Sequence, residues 1–250
     1  MYLNVIYILW IRQIKRYLRS KSRIIGSVAQ PMLFLVALGF GFGPVFEKAG
    51  GGNYVDFLAP GIIAMSILFT AMFSGIEIIW DKQFGFLKET LVAPVPRISI
   101  MIGRTLGGAT VAVLQGIVVF LITLLVGFRP ETVWSIIPAF FFMFLVALLF
   151  TALGTAIASK VDDMQAFPLV MNFVIMPLFF LSGALFPVNN LPGALEIVVR
   201  LNPLSYGVDA IRETLIGVGS FGLLLDTSVL VVIIVVAMVA GAYLFERIEA

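Results

Sequence analysis

The sequence predicts an all-α, polytopic membrane protein with six transmembrane helices. Of its 250 residues, 61% are hydrophobic and only 12% are charged, whereas a soluble domain is roughly half apolar and a quarter charged. Six apolar stretches each approach about 20 residues, the length that a helix needs to cross the hydrocarbon core. The joins between them are too short for a nucleotide-binding or enzymatic domain. The chain has no cysteine and no histidine, which excludes catalytic thiols, disulfides and zinc sites with Cys or His ligands.

The first element, residues 1–23, is expected to be an amphipathic helix on the cytoplasmic side. Five apolar residues share one face at helical spacing: Leu3, Ile6, Trp10, Ile14 and Tyr17. Four basic residues share the opposite face: Arg12, Lys15, Arg16 and Arg19. This pattern is typical of a helix lying flat among anionic headgroups, although a simple topogenic charge cluster would also produce it. The early charges argue against a cleavable signal peptide.

The transmembrane domain is expected to occupy residues 24–250. Its predicted spans are residues 24–43, 57–80, 105–128, 134–158, 166–186 and 227–245. The glycines from Gly39 to Gly43, followed by Pro44, are interpreted as the exit from the first span and not as a nucleotide-binding loop. With the N-terminus inside, twelve of the sixteen Lys and Arg residues fall on the inner side. Since positive residues accumulate in cytoplasmic loops, both termini are predicted to be cytoplasmic.

Charged residues are nearly absent from the predicted spans. Glu77 is the exception, and it lies about one turn from the cytoplasmic end of the second span. A long side chain at that depth can reach the interface, so we expect Glu77 to do so rather than to couple transport to an ion. The chain also has no phosphate-binding loop with a lysine. Energy for active transport would therefore come from a partner protein.

The predicted cytoplasmic loop at residues 81–104 is unusually apolar. A short amphipathic helix carrying Leu87, Leu91 and Val92 would end before Pro94. Such a helix would either present an apolar surface to a partner or pack on its own membrane domain. The residue pattern alone fits both.

Residues 187–225 are too polar to span a membrane, yet their apolar positions keep helical spacing. Asn202 followed by Pro203 is typical of a helix N-cap with proline at the first helical position. We expect two short helices that dip into the extracellular interface as a re-entrant segment before the last span.

Both segments resemble parts of ABC-2-type transport permeases. The first match is Gly85-Phe-Leu-Lys-Glu-Thr-Leu-Val-Ala-Pro-Val-Pro-Arg97, followed by Gly103-Arg104. The second comprises Ser182-Gly-Ala-Leu-Phe-Pro187, Leu191-Pro192, Asn202-Pro-Leu-Ser-Tyr206 and Asp209-Ala-Ile-Arg212. The chain is most similar to the daunorubicin-type drug-resistance and nodulation-type exporters. In one departure, many relatives carry an acidic residue early in the first segment, where this chain has Gln83 with Asp81 before it.

The resemblance implies the permease subunit of an ATP-driven exporter, without an ATPase site of its own, in the cytoplasmic membrane of a prokaryote. It implies two copies of a separate ATP-binding subunit carrying ATP and Mg²⁺, a second permease copy as homodimer or heterodimer, membrane lipid, and no nucleic acid. No cofactor is expected on this chain. The cargo would be a drug, lipid or glycan of hydrophobic or amphipathic character, moved outward by alternating access. The alternatives are an autonomous secondary transporter or channel, or a non-transporting scaffold that recruits an ATPase.

The resemblance also implies roles for individual residues. The ATPase-coupling residues would be Gly85, Phe86, Leu87, Lys88, Glu89, Leu91, Pro94 and Arg97. The re-entrant segment near the extracellular gate would contain Pro187, Pro192, Asn202, Pro203, Tyr206, Asp209 and Arg212. A translocation path between two copies, lined by the second and fifth spans, would include Phe69, Thr70, Phe73, Asn172, Phe173 and Phe180. A lipid-facing or packing role fits each of these last six residues equally well.

Overall fold

The computed structural model of the chain describes residues 2–48, 52–86, 95–188 and 192–246. The regular elements within these ranges are all helices, which confirms the predicted all-α class. In chain order they are α1 (Tyr2–Arg19), α2 (Lys21–Lys48), α3 (Tyr54–Phe73), α4 (Ile76–Gln83), α5 (Arg97–Val126), α6 (Ile136–Ala158), α7 (Ala166–Phe180), α8 (Gly193–Leu201), α9 (Pro203–Ile216) and α10 (Leu223–Glu246).

Five helical stretches among the described residues are long and apolar enough to cross a membrane. They are Ile24–Lys48, Tyr54–Gln83, Arg97–Val126, Ile136–Ala158 and Leu223–Phe245. The fifth predicted span, residues 166–186, contains only the 15-residue α7. At 1.5 Å per residue, 15 residues cover about 22 Å, less than the roughly 30 Å of a hydrocarbon core. The backbone leaves the helix after Phe180, and Gly183 follows with a φ of 72°.

Two spans extend further than the sequence predicts. Helix α2 continues through the Gly39–Gly43 stretch and Pro44 to Lys48, because a glycine costs a helix only about 1 kcal/mol and lipid supplies no alternative partner for backbone groups. Helix α5 begins at Arg97 rather than near residue 105. The predicted loop at residues 81–104 is therefore partly helical at both of its ends.

Helix α3 lies at the centre of the bundle, packed among α2, α5 and α6. In the most apolar stretch of each span, 83% of the residues are buried for Tyr54–Gln83, against 17% for Ile24–Lys48 and 22% for Leu223–Phe245. The first and last spans are consequently peripheral. Most of their side chains are not covered by the rest of this chain.

The central span is interrupted at Ser74 and Gly75, between α3 and α4. The Ser74 hydroxyl donates to the Ala71 carbonyl at 2.6 Å. Gly75 lies directly against the backbone of Gly154 in α6, and a Cβ on either glycine would overlap backbone atoms of the other helix. Small residues thus allow α6 to approach the central span backbone to backbone, as they do in many membrane helix pairs.

Helix α1 packs along the side of α5. Its Leu9 contacts Gly103, and its Gln13 contacts Gly107 one turn later. Further along, the Tyr17 hydroxyl donates to Gln115 Oε1 at 2.5 Å. Contacts at successive turns place α1 alongside the first half of α5. Gly103 and Gly107 allow this close approach, because neither has a side chain that would separate the two helices. That α1 lies among the headgroups stays a prediction.

Candidate functional sites

The buried charges lie at the two ends of the bundle. We define the α1 end as α1, α4, the start of α5 and residues 159–165. The α9 end comprises α8, α9, residues 127–135 and 181–188, and the starts of α3 and α10. Among the described residues, the buried charged side chains are Glu77, Asp81 and Arg104 at the α1 end, and Asp209, Arg212 and Asp226 at the α9 end.

Asp81 is the centre of the charge cluster at the α1 end. The Arg104 guanidinium donates to Asp81 Oδ2, and both side chains are buried. Arg12 Nη2 of α1 lies 3.5 Å from Asp81 Oδ1. One carboxylate therefore joins α1, α4 and α5. Two positive partners compensate for its removal from water.

Glu77 makes a second link between α1 and the central span. Its carboxylate lies 3.6 Å from Arg16 Nη1. The Arg16 guanidinium also lies over the Trp80 ring, 5.2 Å from its centroid. Glu77 is buried within the protein, because α1 covers it and supplies the opposite charge.

The end of α4 is tied to the connection between α6 and α7. Lys82 Nζ pairs with the Asp162 carboxylate, and Gln83 Nε2 donates to the Asp162 carbonyl at 3.4 Å. Asp162 itself is solvent-exposed. Gln83 thus binds a residue of its own chain.

The predicted coupling residues are only partly described. Leu87, Lys88, Glu89, Leu91 and Pro94 lie outside the described residues. Gly85 has a φ of 79°, in the left-handed region that favours glycine. Phe86 is exposed just after it, and Arg97 is the first residue of α5. The described residues resume at Val95, which packs on the core two residues before α5 begins.

A groove of about 710 Å³ opens between α1 and the start of this segment. Its walls combine basic and apolar side chains: Ile8, Ile11, Arg12, Lys15, Arg16, Arg19, Trp80, Asp81, Phe84 and Phe86. Phe84 stands at its edge with 69% of its surface exposed. Such a lining is suited to a partner with acidic and apolar side chains.

At the α9 end, Asn202 joins three elements. Its side chain accepts a hydrogen bond from Leu204 N at 3.0 Å, which caps α9, and Pro203 occupies the first turn. This confirms the predicted N-cap. The side-chain amide also donates to the Leu178 carbonyl near the end of α7, at 2.7 Å.

Arg212 holds the turn that follows α7. Its guanidinium donates to the carbonyls of Gly183 at 3.0 Å and Ala184 at 3.4 Å. It also donates to the Phe57 carbonyl at 3.3 Å and stacks 4.0 Å above the Phe57 ring. Burial lowers the pKa of Arg212 to about 10, with Asp209 opposing this shift, so the side chain stays charged at neutral pH. The two halves of the second motif are therefore bound to each other.

The remaining predicted gate residues surround this contact. Asp209 accepts hydrogen bonds from the backbone of Ser220 and Phe221 at 2.8–2.9 Å. Tyr206 donates to the Arg200 carbonyl at 2.7 Å. Pro192 is the N-cap of α8, and Pro187 borders an apolar cavity of about 400 Å³.

The six predicted path residues fall into two groups. Phe69, Thr70 and Phe73 of α3 line a cavity of about 180 Å³ that also contacts Tyr17. The other three lie on the exposed surface of α7: Asn172, Phe173 and Phe180. Within one chain, the structure therefore does not bring the two groups into a common channel.

The comparisons with known proteins agree with both motifs. Residues 4–216 match the family model described as ABC-2 type transporter. The chain belongs to the ABC-2 type transporter family. Nodulation protein J of Rhizobium leguminosarum bv. viciae is 30% identical over 229 residues, covering 90% of this chain and 87% of that protein. Nodulation protein J of Rhizobium meliloti (strain 1021) is 31% identical over 199 residues, covering 78% and 75%. The putative transport permease ycf38 of Cyanophora paradoxa is 30% identical over 201 residues, covering 78% and 68%.

Sequence reasoning missed the ion pairs of this ABC-2 family member. Asp81 and Arg104 are separated by 23 residues, so no helical spacing connects them. One signal was available, since the acids Glu77 and Asp81 lie at the predicted cytoplasmic end of the second span, on the same side as the four basic residues of α1.

Proposed function

We propose that this ABC-2 family member is the permease subunit of an ATP-driven exporter. It works with two copies of a separate ATP-binding subunit, which hold the ATP and Mg²⁺, and with a second permease copy. The α1 end faces the cytoplasm of a prokaryotic cell and the α9 end faces outside. The cargo is hydrophobic or amphipathic and leaves by alternating access.

The groove at the α1 end is the observation that carries this proposal. Its basic and apolar walls include Phe84 and Phe86, at the start of the segment from Gly85 to Arg97 that carries the first family motif. Asp81 and Glu77 connect the α1 wall to the central span and, through Arg104, to α5. A displacement of α1 by the partner would therefore act on both spans through charged contacts.

The distribution of charge supports an external motor. Ion-coupled transporters place ionisable side chains near the middle of the membrane. In the described parts of this chain, the buried charges are at the two ends of the bundle, and the buried polar residues between them are neutral, such as Thr70 and Gln115. This favours an ATP-driven permease over a secondary transporter.

In the proposed topology, α7 and the turn after it together form a sixth span. Residues 181–186 continue the path of α7, and Arg212 and Tyr54 satisfy the carbonyls of Gly183, Ala184 and Leu185. Backbone that is not helical is tolerated at membrane depth where protein covers it. Helices α8 and α9 then form the re-entrant segment on the outer side.

The proposed translocation path lies between two copies of the permease. The exposed face of α7, with Phe173 82% exposed, would meet its counterpart there. The cavity beside Phe69 and Phe73 would open towards this interface when the halves separate. Aromatic side chains would suit an apolar cargo.

The experiment co-expresses the permease with a candidate ABC ATP-binding subunit from the same genome and purifies the complex in nanodiscs. Phe84→Asp adds a charge at the edge of the groove. We expect at least a tenfold loss of ATPase co-purification, because the apolar contact of Phe84 would be lost and the new carboxylate would repel a partner with acidic side chains and compete with it for the basic wall. The matched control is Val133→Asp, which makes the same kind of change at an exposed residue of the α9 end.

Three outcomes contradict the proposal. Retention of the ATPase by Phe84→Asp removes the groove as its docking surface. An equal loss in Val133→Asp shows that the charge acts through general instability. Normal ATPase binding in the wild type without ATP-dependent release of any lipid or dye from proteoliposomes favours a scaffold.

A further inference from the structure

Three carboxylates meet at the α9 end, in the angle between α9 and α10. Asp209 and Glu213 are one turn apart on α9, and Asp226 lies in the first turn of α10. Each offers one oxygen, and these oxygens all lie within 4.8 Å of one another. Two oxygens on opposite sides of a Ca²⁺ ion are separated by about 4.6–5.2 Å, since each Ca–O bond is roughly 2.3–2.6 Å. The spacing therefore fits a shared cation.

Asp226 is the residue that points to a ligand. Its exposed fraction is 0%, and neither of its carboxylate oxygens has a hydrogen-bond partner among the described residues. An acid in the first turn of a helix commonly accepts backbone N–H groups, but Asp226 accepts none there. Glu213 Oε2 is likewise buried and without a partner. Buried carboxylates of this kind are strongly disfavoured unless something satisfies them.

Arg212 is the positive side chain closest in sequence to the three carboxylates, but its guanidinium already has other hydrogen-bond partners. Arg212 donates to the carbonyls of Phe57, Gly183 and Ala184. Among the described residues, the ion pairs found do not include Asp209, Glu213 or Asp226. The cluster thus has a formal charge of −3 without a protein counter-ion in contact.

The loop between α9 and α10 is shaped around these carboxylates. Asp209 accepts the N–H groups of Ser220 and Phe221, which draws the loop over the cluster. Gly219 lies so close to Glu213 that a Cβ there would overlap the Glu213 carboxylate. A side chain at position 219 would displace the Glu213 carboxylate from its observed place beside the loop.

We propose that Asp209, Glu213 and Asp226 bind a divalent cation, with Ca²⁺ preferred over Mg²⁺. Ca²⁺ takes oxygen ligands in flexible geometry, whereas Mg²⁺ retains several waters. Asp209 and Asp226 are buried beneath the loop, which leaves little space for a retained water shell. The bound ion joins α9 to the start of the last span. This inference does not depend on the proposed ATPase partnership.

The test measures ⁴⁵Ca²⁺ binding to the full-length chain in a neutral, lipid-free detergent. We expect one Ca²⁺ per chain with a dissociation constant of about 10⁻⁴–10⁻³ M, the range of Ca²⁺ sites in extracellular modules. At ten times this concentration, Ca²⁺ should raise the midpoint of thermal unfolding by roughly 3–6 °C. Asp226→Asn should lower the affinity at least tenfold.

The matched control is Glu196→Gln, because Glu196 is an exposed acid at the same end of the bundle. It should leave Ca²⁺ binding unchanged. Equal weakening by Glu196→Gln, or no binding to the wild type below 10 mM (about ten times the weakest expected constant), overturns the site. Equal protection by Mg²⁺ overturns the preference for Ca²⁺. A thermal midpoint that rises as the pH falls from 8 to 5 without any response to Ca²⁺ shows that a shared proton occupies the cluster instead.

Glu213→Gln provides a second variant that keeps the test decisive when Asp226→Asn fails to fold. It retains the shape of the side chain and removes one charge. Its Ca²⁺ affinity should also fall at least tenfold, and unchanged affinity contradicts the proposal.

Discussion

Asp81 and Arg104 are both buried, so the loss of either charge leaves the other one without its partner. Removing one member of a buried pair costs more than the pair contributes, because the remaining charge is both desolvated and unpaired. The Lys82–Asp162 pair carries a smaller penalty, since Asp162 is 83% exposed and Lys82 is still 17% exposed, so water reaches either residue when the other is lost.

For this single residue we predict that Asp81→Asn destabilises the protein by about 3–5 kcal/mol. The midpoint of thermal unfolding in detergent should then fall by roughly 6–20 °C. The matched control is Asp162→Asn, whose carboxylate is 83% exposed. This control should cost at most about 1 kcal/mol. Similar losses in both variants would mean that Arg104 does not depend on Asp81.

Among the elements, α1 owes its position to glycines of its neighbour. Gly107 has no side chain, and the Cβ and Cγ of Gln13 occupy the space where one would lie. A larger residue would separate α1 from α5 and would carry Arg12 and Arg16 away from their acids.

We therefore predict that Gly107→Val destabilises the chain by about 1–3 kcal/mol through overpacking. Trypsin should cleave α1 at its basic residues several times faster than in the wild type, because a displaced helix unfolds locally more often. Gly41→Val is the control, since nothing lies within 4 Å of a Cβ at Gly41. An unchanged cleavage rate in Gly107→Val would show that α1 tolerates the added bulk.

The elements that sequence reasoning located best are those with local signals. The Asn202 cap depends on a hydrogen bond between residues only two positions apart. The apolar stretches that form α5, α6 and α10 are long and continuous. The end of α2 was missed because Gly39–Gly43 has the composition of a loop, whereas lipid and protein surroundings keep it helical. The contacts of Asp81 and Arg212 were not predictable, because they depend on the register between helices that are distant in sequence.

For the whole molecule, the excess of positive residues at the α1 end predicts its side of the membrane. The chain has no cysteine, so single cysteines can report sidedness without background. In intact cells, a membrane-impermeant maleimide should label Thr132→Cys at the α9 end. It should label Lys160→Cys only after the membrane is opened.

Both positions are exposed, so access to the thiol itself is not limiting. The unsubstituted chain serves as the control and should remain unlabelled. Labelling of Lys160→Cys in intact cells would reverse the orientation and would place the groove between α1 and Phe84 outside the cell.

The Arg212 contact also imposes an order on biogenesis. The chain is synthesised from its N-terminus, and Phe57 precedes Arg212 by 155 residues. The carbonyls of Phe57, Gly183 and Ala184 therefore enter the membrane before the side chain that satisfies them exists. Until α9 is made, water, lipid headgroups or the insertion machinery must solvate these groups. A nascent chain that stops before residue 212 would keep its first five apolar segments and the Tyr54–Leu185 hydrogen bond, but it would lack the guanidinium that binds Phe57 to Gly183 and Ala184.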